Sequence, residues 1–313
     1  MRVFICVTRK LKWLALLALL RFPLGNPDLH LFSLFWLLIF LDPLFWQSLL
    51  QIGGILYARV VRLGRLPSKE NYVCKRDYVL PFTGKWTAVN GGVDKKHSHS
   101  WGLLSQRYAY DFFIMDDEGA TSGGDKKLVQ NYFCYGQDVI APADGEAVKV
   151  KDCYADSRTD GRKAYCDAND IRGNFIVIKH ADGEYSLIAH LMPGSILVKI
   201  GDKVRQGEVV AKCGNSGNTS EPHIHFQLQS GKNFFTSAGL PVAFSDINAR
   251  AKTNYEKLDK RARPGHPETA GNKSYISRGL EVENGPGKAN RVTQIYNPAQ
   301  TEPALPPSGP RGR

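Results

Sequence analysis

The chain has 313 residues, room for one large or two ordinary domains, and a formal charge of +11. The excess is +8 over residues 1–76 and +5 over residues 251–313, whereas residues 77–250 sum to −2. A near-neutral middle argues against a nucleic-acid groove and leaves basic flanks suited to a membrane surface or to anionic polymers.

A basic start (Arg2, Arg9, Lys10, Lys12) leads into the apolar run Trp13 to Leu20, which Arg21 and Pro23 stop before it is long enough to cross a bilayer. No small-residue cleavage site follows, which argues against a signal peptide. The second apolar run, Leu29 to Ala58, carries Trp36 and Trp46 as interfacial aromatics and predicts one transmembrane helix within about residues 29–58. Asp42-Pro43 in its middle predicts a kink or a re-entrant hairpin, since proline lacks the donor N–H and an aspartate in lipid is costly. Arginines stand on both sides (Arg59, Arg62 and Arg65 after the run), so the positive-inside rule gives no orientation.

From Tyr72 the texture changes to short strand-like runs punctuated by Gly, Asp and Asn, which predicts an all-β domain. Tyr78 to Phe82 and Trp86 to Val89 open it, and Asn90-Gly91-Gly92 is a turn. His97-Ser98-His99 follows, with both imidazoles on one face if the segment is a strand. In Gln106 to Phe112 the aromatics Tyr108, Tyr110 and Phe112 alternate with Ala109 and Asp111, placing an aspartate on the small-residue face. Asp116 to Gln137 reads as a polar loop at the sheet's rim. Two short runs around Ala143-Asp144-Gly145 predict a hairpin. Gly173 to His180 and Tyr185 to Leu191 read as strand, turn, strand, with His190 on the face of Ile188.

The six cysteines (Cys6, Cys74, Cys134, Cys153, Cys166, Cys213) lack CxxC spacing and make no zinc ribbon. Cys153 and Cys166 bracket a polar segment, a disulfide-closed loop if the domain is exported and two free thiols otherwise. Beyond Asn248 apolar residues are too few for a core, which predicts a disordered tail. The expected organisation is therefore a membrane segment over residues 1–66, a folded domain over 67–249 and a tail over 250–313.

The stretch GNSGNTSEPHIHFQL, residues 214–228, contains His223-Ile224-His225. On a strand, residues i and i+2 share a face, so the two imidazoles stand side by side while Ile224 enters the core. This stretch resembles the signature of the lysostaphin-like (LytM-like) zinc endopeptidases, which cut peptide cross-links in bacterial cell walls. VIAPADGEAVKV, GNFIVIKHADGEYSLIAHL and GDKVRQGEVVAKCGNSG follow the family's order, and the resemblance covers residues 78 to 245.

The resemblance implies a LytM-like antiparallel sheet of barrel-sandwich character and a membrane-anchored zinc metalloendopeptidase acting outside the cytoplasm on peptidoglycan peptides, with no nucleic-acid partner. It assigns Asp111 and His225 as Zn2+ ligands, and His190 and His223 as catalytic histidines that contact the attacking water and the oxyanion. The first ligand departs from the pattern: the family's His and Asp stand four positions apart, whereas His99 and Asp111 are twelve apart. Spacing alone does not choose between His97 and His99; we expect His99, the nearer to the strand of Asp111. A degenerate, non-catalytic module that activates another wall hydrolase is the alternative. No HExxH motif is present. His180 has a structural turn role, and His30 and His266 have none at the site.

Overall fold

Alternating apolar and polar residues broken by Gly, Asn and Asp turns produce a mostly antiparallel β fold in this computed structural model, which describes residues 2–61, 66–159, 169–260 and 267–286. Cys166, and with it any Cys153–Cys166 bond, lies outside the described residues, as do His266 and the chain beyond residue 286. The strands are β1 Trp86–Asn90, β2 Tyr110–Phe113, β3 Asp138–Ile140, β4 Gly145–Lys151 and β5 Phe175–Ala181. They continue as β6 Glu184–Ala189, β7 Lys203–Val204, β8 Val209–Lys212, β9 Ile224–Gln229 and β10 Gly239–Leu240. β11 Phe244–Ser245, β12 Ile247–Ala251, β13 Glu268–Ala270, β14 Lys273–Tyr275 and β15 Leu280–Asn284 follow.

The main sheet runs β12-β15-β1-β2-β9-β6-β5-β4-β7, with β10 paired to β9; β11-β14-β13 and β3-β8 form two smaller sheets. Central β9 is buried on both faces. Ile224, Phe226 and Leu228 join Tyr110, Phe112, Ile176, Ile188 and Phe244 in the main core, so the opposite, polar row of β9 belongs to the site. β5 and β6 form the expected strand-turn-strand.

Three expectations are corrected. The runs around Ala143-Asp144-Gly145 do not form a hairpin: β3 pairs with β8 and β4 with β5 and β7, so the chain changes sheet at this bend. The fold does not end at residue 249, because β15 inserts between β1 and β12 and buries Leu280 and Val282. Two neighbouring strands supply the burial that local composition lacks. His97-Ser98-His99 is a turn rather than a strand, since Asp94 caps it through the amides of Lys96 and His97.

The N-terminal residues form α1 Arg2–Leu11, a 3₁₀ helix Lys12–Leu20, α2 Arg21–Leu24, a 3₁₀ helix Pro27–Leu41 and α3 Pro43–Val61. Among the described residues no single helix is long and apolar enough to cross a membrane, in place of the one span expected; Pro27–Leu41 and Pro43–Tyr57 reach that length only as a pair bent by 72°. The break falls at Asp42-Pro43. Asp42 accepts from the Leu44 amide at 3.0 Å and pairs with Arg9 at 2.7 Å, and the proline has no N–H with which to continue the preceding helix.

Candidate functional site

Sheet register assembles the site. β2 and β9 pair so that Asp111 stands opposite His225, and β6 places Ala189 opposite His225 on the other side. His223, His225, Gln227 and Gln229 follow at intervals of two along one face. His190 comes directly after β6 with φ 64°, a left-handed conformation costly for a residue with a Cβ. It is held there by its amide donating to Arg172 O at 3.0 Å and by Gly214 N–H donating to His190 O at 3.1 Å. The loop behind it lies backbone against backbone on residue 173: a Cβ at Gly217, φ 90°, would stand 2.3 Å from Gly173 N.

The turn after His97 brings His99 back to Asp111, with Nε2 3.6 Å from Oδ2. His97 instead pairs with Asp94, Nδ1 to Oδ2, at 2.9 Å. His223 Nε2 lies 3.6 Å, and His225 Nδ1 2.9 Å, from Asp111 Oδ1. Asn90 Nδ2 donates to Asp111 Oδ2 at 3.0 Å. The ring centroids of His190 and His223 are 4.7 Å apart, and Phe113 stacks on His223 at 4.9 Å. Asp111, His190, His223 and His225 are all buried, at the floor of a groove of about 510 Å³.

Hydrogen-bond polarity shows which nitrogens carry protons. A backbone carbonyl only accepts, so His190 Nδ1–H donates to Ser216 O at 2.7 Å and its Nε2 keeps the lone pair. His223 Nδ1–H donates to Glu221 O at 2.9 Å, which makes Nε2 the ring atom facing Asp111. Burial opposes charge on Asp111, but the imidazole of His99, the hydrogen bond from His225 and the neighbouring His223 hold its carboxyl well below the usual range. Burial, then the neighbouring imidazoles of His223 and His225, holds His190 well below the usual imidazole value. His225 is raised, its burial outweighed by the hydrogen bond and charge of Asp111.

Nitrogen, oxygen and nitrogen from His99, Asp111 and His225 are the donor types of a catalytic zinc site. Among the described residues no three His, Cys, Asp or Glu side chains stand in finished metal-holding geometry. His225 Nδ1 and Asp111 Oδ1 stand within hydrogen-bond distance of each other, at 2.9 Å. The groove also holds residues that the motifs did not mark. Asn90 and α3 residues Leu44, Ser48 and Gln51 line it. Gln227 was readable, being the next same-face position after His225. His180 lies apart, bonded through Nδ1 to Asp144 O at 2.9 Å and through Nε2 to Ser186 Oγ at 2.7 Å.

Residues 129–236, which include His190, His223 and His225, match the family model described as Peptidase family M23. The chain carries an M23 (LytM-like) peptidase domain. It is 31% identical over 132 residues to the murein hydrolase activator NlpD of Salmonella typhimurium, a match covering 42% of this chain and 30% of that protein. It is 30% identical over 141 residues to the peptidoglycan DD-endopeptidase ShyC of Vibrio cholerae, covering 40% of this chain and 29% of that one. The chain thus spans less than a third of the length of these curated relatives. A zinc containing peptidase from Vibrio cholerae overlays 52% of this chain and 39% of its own at 19% identity and TM-score 0.33. The catalytic domain of lysostaphin from Staphylococcus simulans overlays 50% of this chain and 88% of its own at 20% identity and TM-score 0.28. At these TM-scores the overlays carry no argument about function.

Proposed function

We propose that this M23 domain is an active zinc metalloendopeptidase that hydrolyses peptide bonds in peptidoglycan cross-bridges or stem peptides. The observation supporting this reading is the convergence of nitrogens from His99, His223 and His225 on the Asp111 carboxylate, beside a His190 whose lone pair lies on Nε2. His99, Asp111 and His225 would hold the metal. Zinc, when bound, lowers the pKa of water toward about 7 and polarises a scissile carbonyl. His190 and His223, each locked by a carbonyl on Nδ1, offer Nε2 to take the proton of the attacking water and return it to the leaving amine. The buried groove floor keeps bulk water from competing for these contacts.

Zinc content and product release from purified peptidoglycan test this on the full chain. Wild type is expected to bind one zinc and cut; His225→Ala should lose both metal and activity, and His223→Ala should keep metal and lose turnover. Zinc lost in His223→Ala but kept in His225→Ala would reverse the two roles, and a wild-type chain that neither binds zinc nor cuts would sink the proposal. The match to proteins named murein hydrolase activators supports a second reading, a module that stimulates another wall hydrolase. Its signature is no cutting alone but faster cutting by an added wall hydrolase.

The apolar segment before residue 66 supports a cell-membrane location, and a peptidoglycan substrate would require the groove to lie outside the cytoplasm. Cys153 is exposed, so after a membrane-impermeant reductant has opened any Cys153–Cys166 bond, a membrane-impermeant maleimide should label it in intact cells; labelling only after lysis would exclude an external domain.

A further inference from the structure

Beyond His225, the polar row of β9 continues as Gln227 and Gln229, both fully buried. A buried side-chain amide is tolerated only when its donors and acceptor are matched, so the partners dictate which way each amide faces. Gln229 Nε2 donates to Gly231 O at 2.7 Å. Its Oε1 is therefore the atom facing Gln227, whose Nε2 donates to it at 2.7 Å. Gln227 Nε2 also donates to Ser105 O at 3.0 Å. Two backbone carbonyls, which can only accept, anchor this chain, and turning either amide over would set oxygen against oxygen. Gln227 Oε1 must then face His225 Nε2, 3.1 Å away. An acceptor there requires the proton on Nε2.

We infer that Gln227 is a positioning residue that holds His225 as the Nε2–H tautomer and turns its Nδ1 lone pair toward Asp111 Oδ1, 2.9 Å away. A lone pair against a carboxylate at that distance is a seat for a cation, filled by a proton or by the metal. The inference rests on the zinc reading above. It makes the site selective for coordination through Nδ1, with Gln229 and the Ser105 carbonyl fixing the orientation of Gln227.

Two measurements on the full chain test it. Zinc affinity is measured by competition with a chelator for wild type, Gln227→Met, which gives up the acceptor together with the bonds donated to Ser105 O and Gln229 Oε1, and Gln227→Glu, which gives up the same donated bonds but keeps an acceptor toward His225 Nε2. Loss of such a supporting hydrogen bond lowers metal affinity by about 10–100-fold; Gln227→Met is expected in that range and Gln227→Glu within about tenfold of wild type. Equal losses in both variants would reduce Gln227 to a packing role and overturn the inference. Independently, the zinc-loaded wild-type chain with 15N-labelled histidine should show a proton on His225 Nε2 and none on Nδ1, and the opposite pattern overturns the inference even if a variant fails to fold. A wild-type chain that binds no zinc fails the metal reading itself; tight wild-type binding unchanged by Gln227→Met fails this inference alone.

Discussion

One carboxylate, Asp111, organises the imidazoles at the groove floor, and each histidine's role follows from what holds its other ring atoms or its backbone. His99 stands 3.6 Å from Asp111, whereas His97 is held by Asp94 at 2.9 Å. If the proposed zinc site holds, His99→Ala should weaken zinc binding by more than the roughly 100-fold upper range for supporting residues, and His97→Ala by less. Chelator titration of both variants decides, and equal or inverted affinities would move the ligand to His97. His180 illustrates the opposite case, a buried imidazole with a structural task. Burial lowers its pKa to about 4 from 6.5, against the raising effect of its bond to Asp144 O. The unfolded chain thus binds a proton that the folded chain refuses between those values. The stability contributed by neutral His180 is fully present above pH 6.5 and is lost as pH falls toward about 4. Urea midpoints across that window should fall less steeply in His180→Gln than in wild type; parallel slopes would show that His180 is not the titrating group. Asp111, His190, His223 and His225 could be picked out in the sequence because strand alternation and the family pattern mark them. The contrast between His97 and His99 could not, because a turn capped by Asp94 breaks the alternation that would have ranked them.

Strands place these side chains, but two features that hold the strands in position are long-range. The loop behind His190 depends on Gly217 lying on Gly173, with φ 90° and a would-be Cβ contact of 2.3 Å. Gly217→Ala must push the backbones apart, and with them Ser216 O, the acceptor for His190 Nδ1. A loss of several kcal/mol is expected, in the range where overpacking adds to left-handed strain, measured as a lower denaturant midpoint; an unchanged midpoint would show the loop to be adaptable. The second feature is β15. It covers the edges of β1 and β12 and buries Leu280 and Val282. A chain ending at residue 250 leaves β1 with an open edge, and should aggregate or unfold at lower temperature than one ending at 286. Equal melting of the two would return the domain boundary to the one composition suggests. The core strands β5, β6 and β9 were legible because their own residues alternate. β15 was not, because its burial is supplied by partners that chain-local composition does not register, and the β3–β4 bend was not, because a turn looks the same whether its strands pair with each other or part to separate sheets.

Across the whole molecule, α3 joins the N-terminal segment to the groove. Its stripe Leu44, Gln47, Gln51 and Gly54 recurs at three- and four-residue intervals, the period of one helix face. Leu44 and Gln51 line the groove that contains His99, Asp111, His190, His223 and His225. Gln47 clips the helix down, its Nε2 donating to Asn169 O at 2.8 Å and its Oε1 accepting from Ile171 N–H at 2.9 Å. At Gly54 an added Cβ would fall 1.7 Å from Phe235 O, so no other residue fits there without moving the helix. The outward face is apolar, with Trp46, Leu49, Leu50, Ile52, Leu56 and Tyr57 exposed. This is the reverse of the usual amphipathic pattern, and under the proposed membrane location it is the face that would meet lipid. A wall polymer reaching Asp111 has to share the groove with this helix, whereas a short peptide needs less of it. Gln47→Leu removes two hydrogen bonds worth about 0.5–1.5 kcal/mol each, enough to raise the population of an undocked helix by about one to two orders of magnitude. Amide exchange along α3 should accelerate accordingly. If the proposed peptidase activity holds, cutting of intact peptidoglycan should rise relative to cutting of a short stem peptide. Unchanged exchange along α3 would show that the helix is held by its packing at Leu44 and Gly54 rather than by Gln47, and faster exchange with an unchanged substrate ratio would show that a docked α3 leaves the polymer's path open.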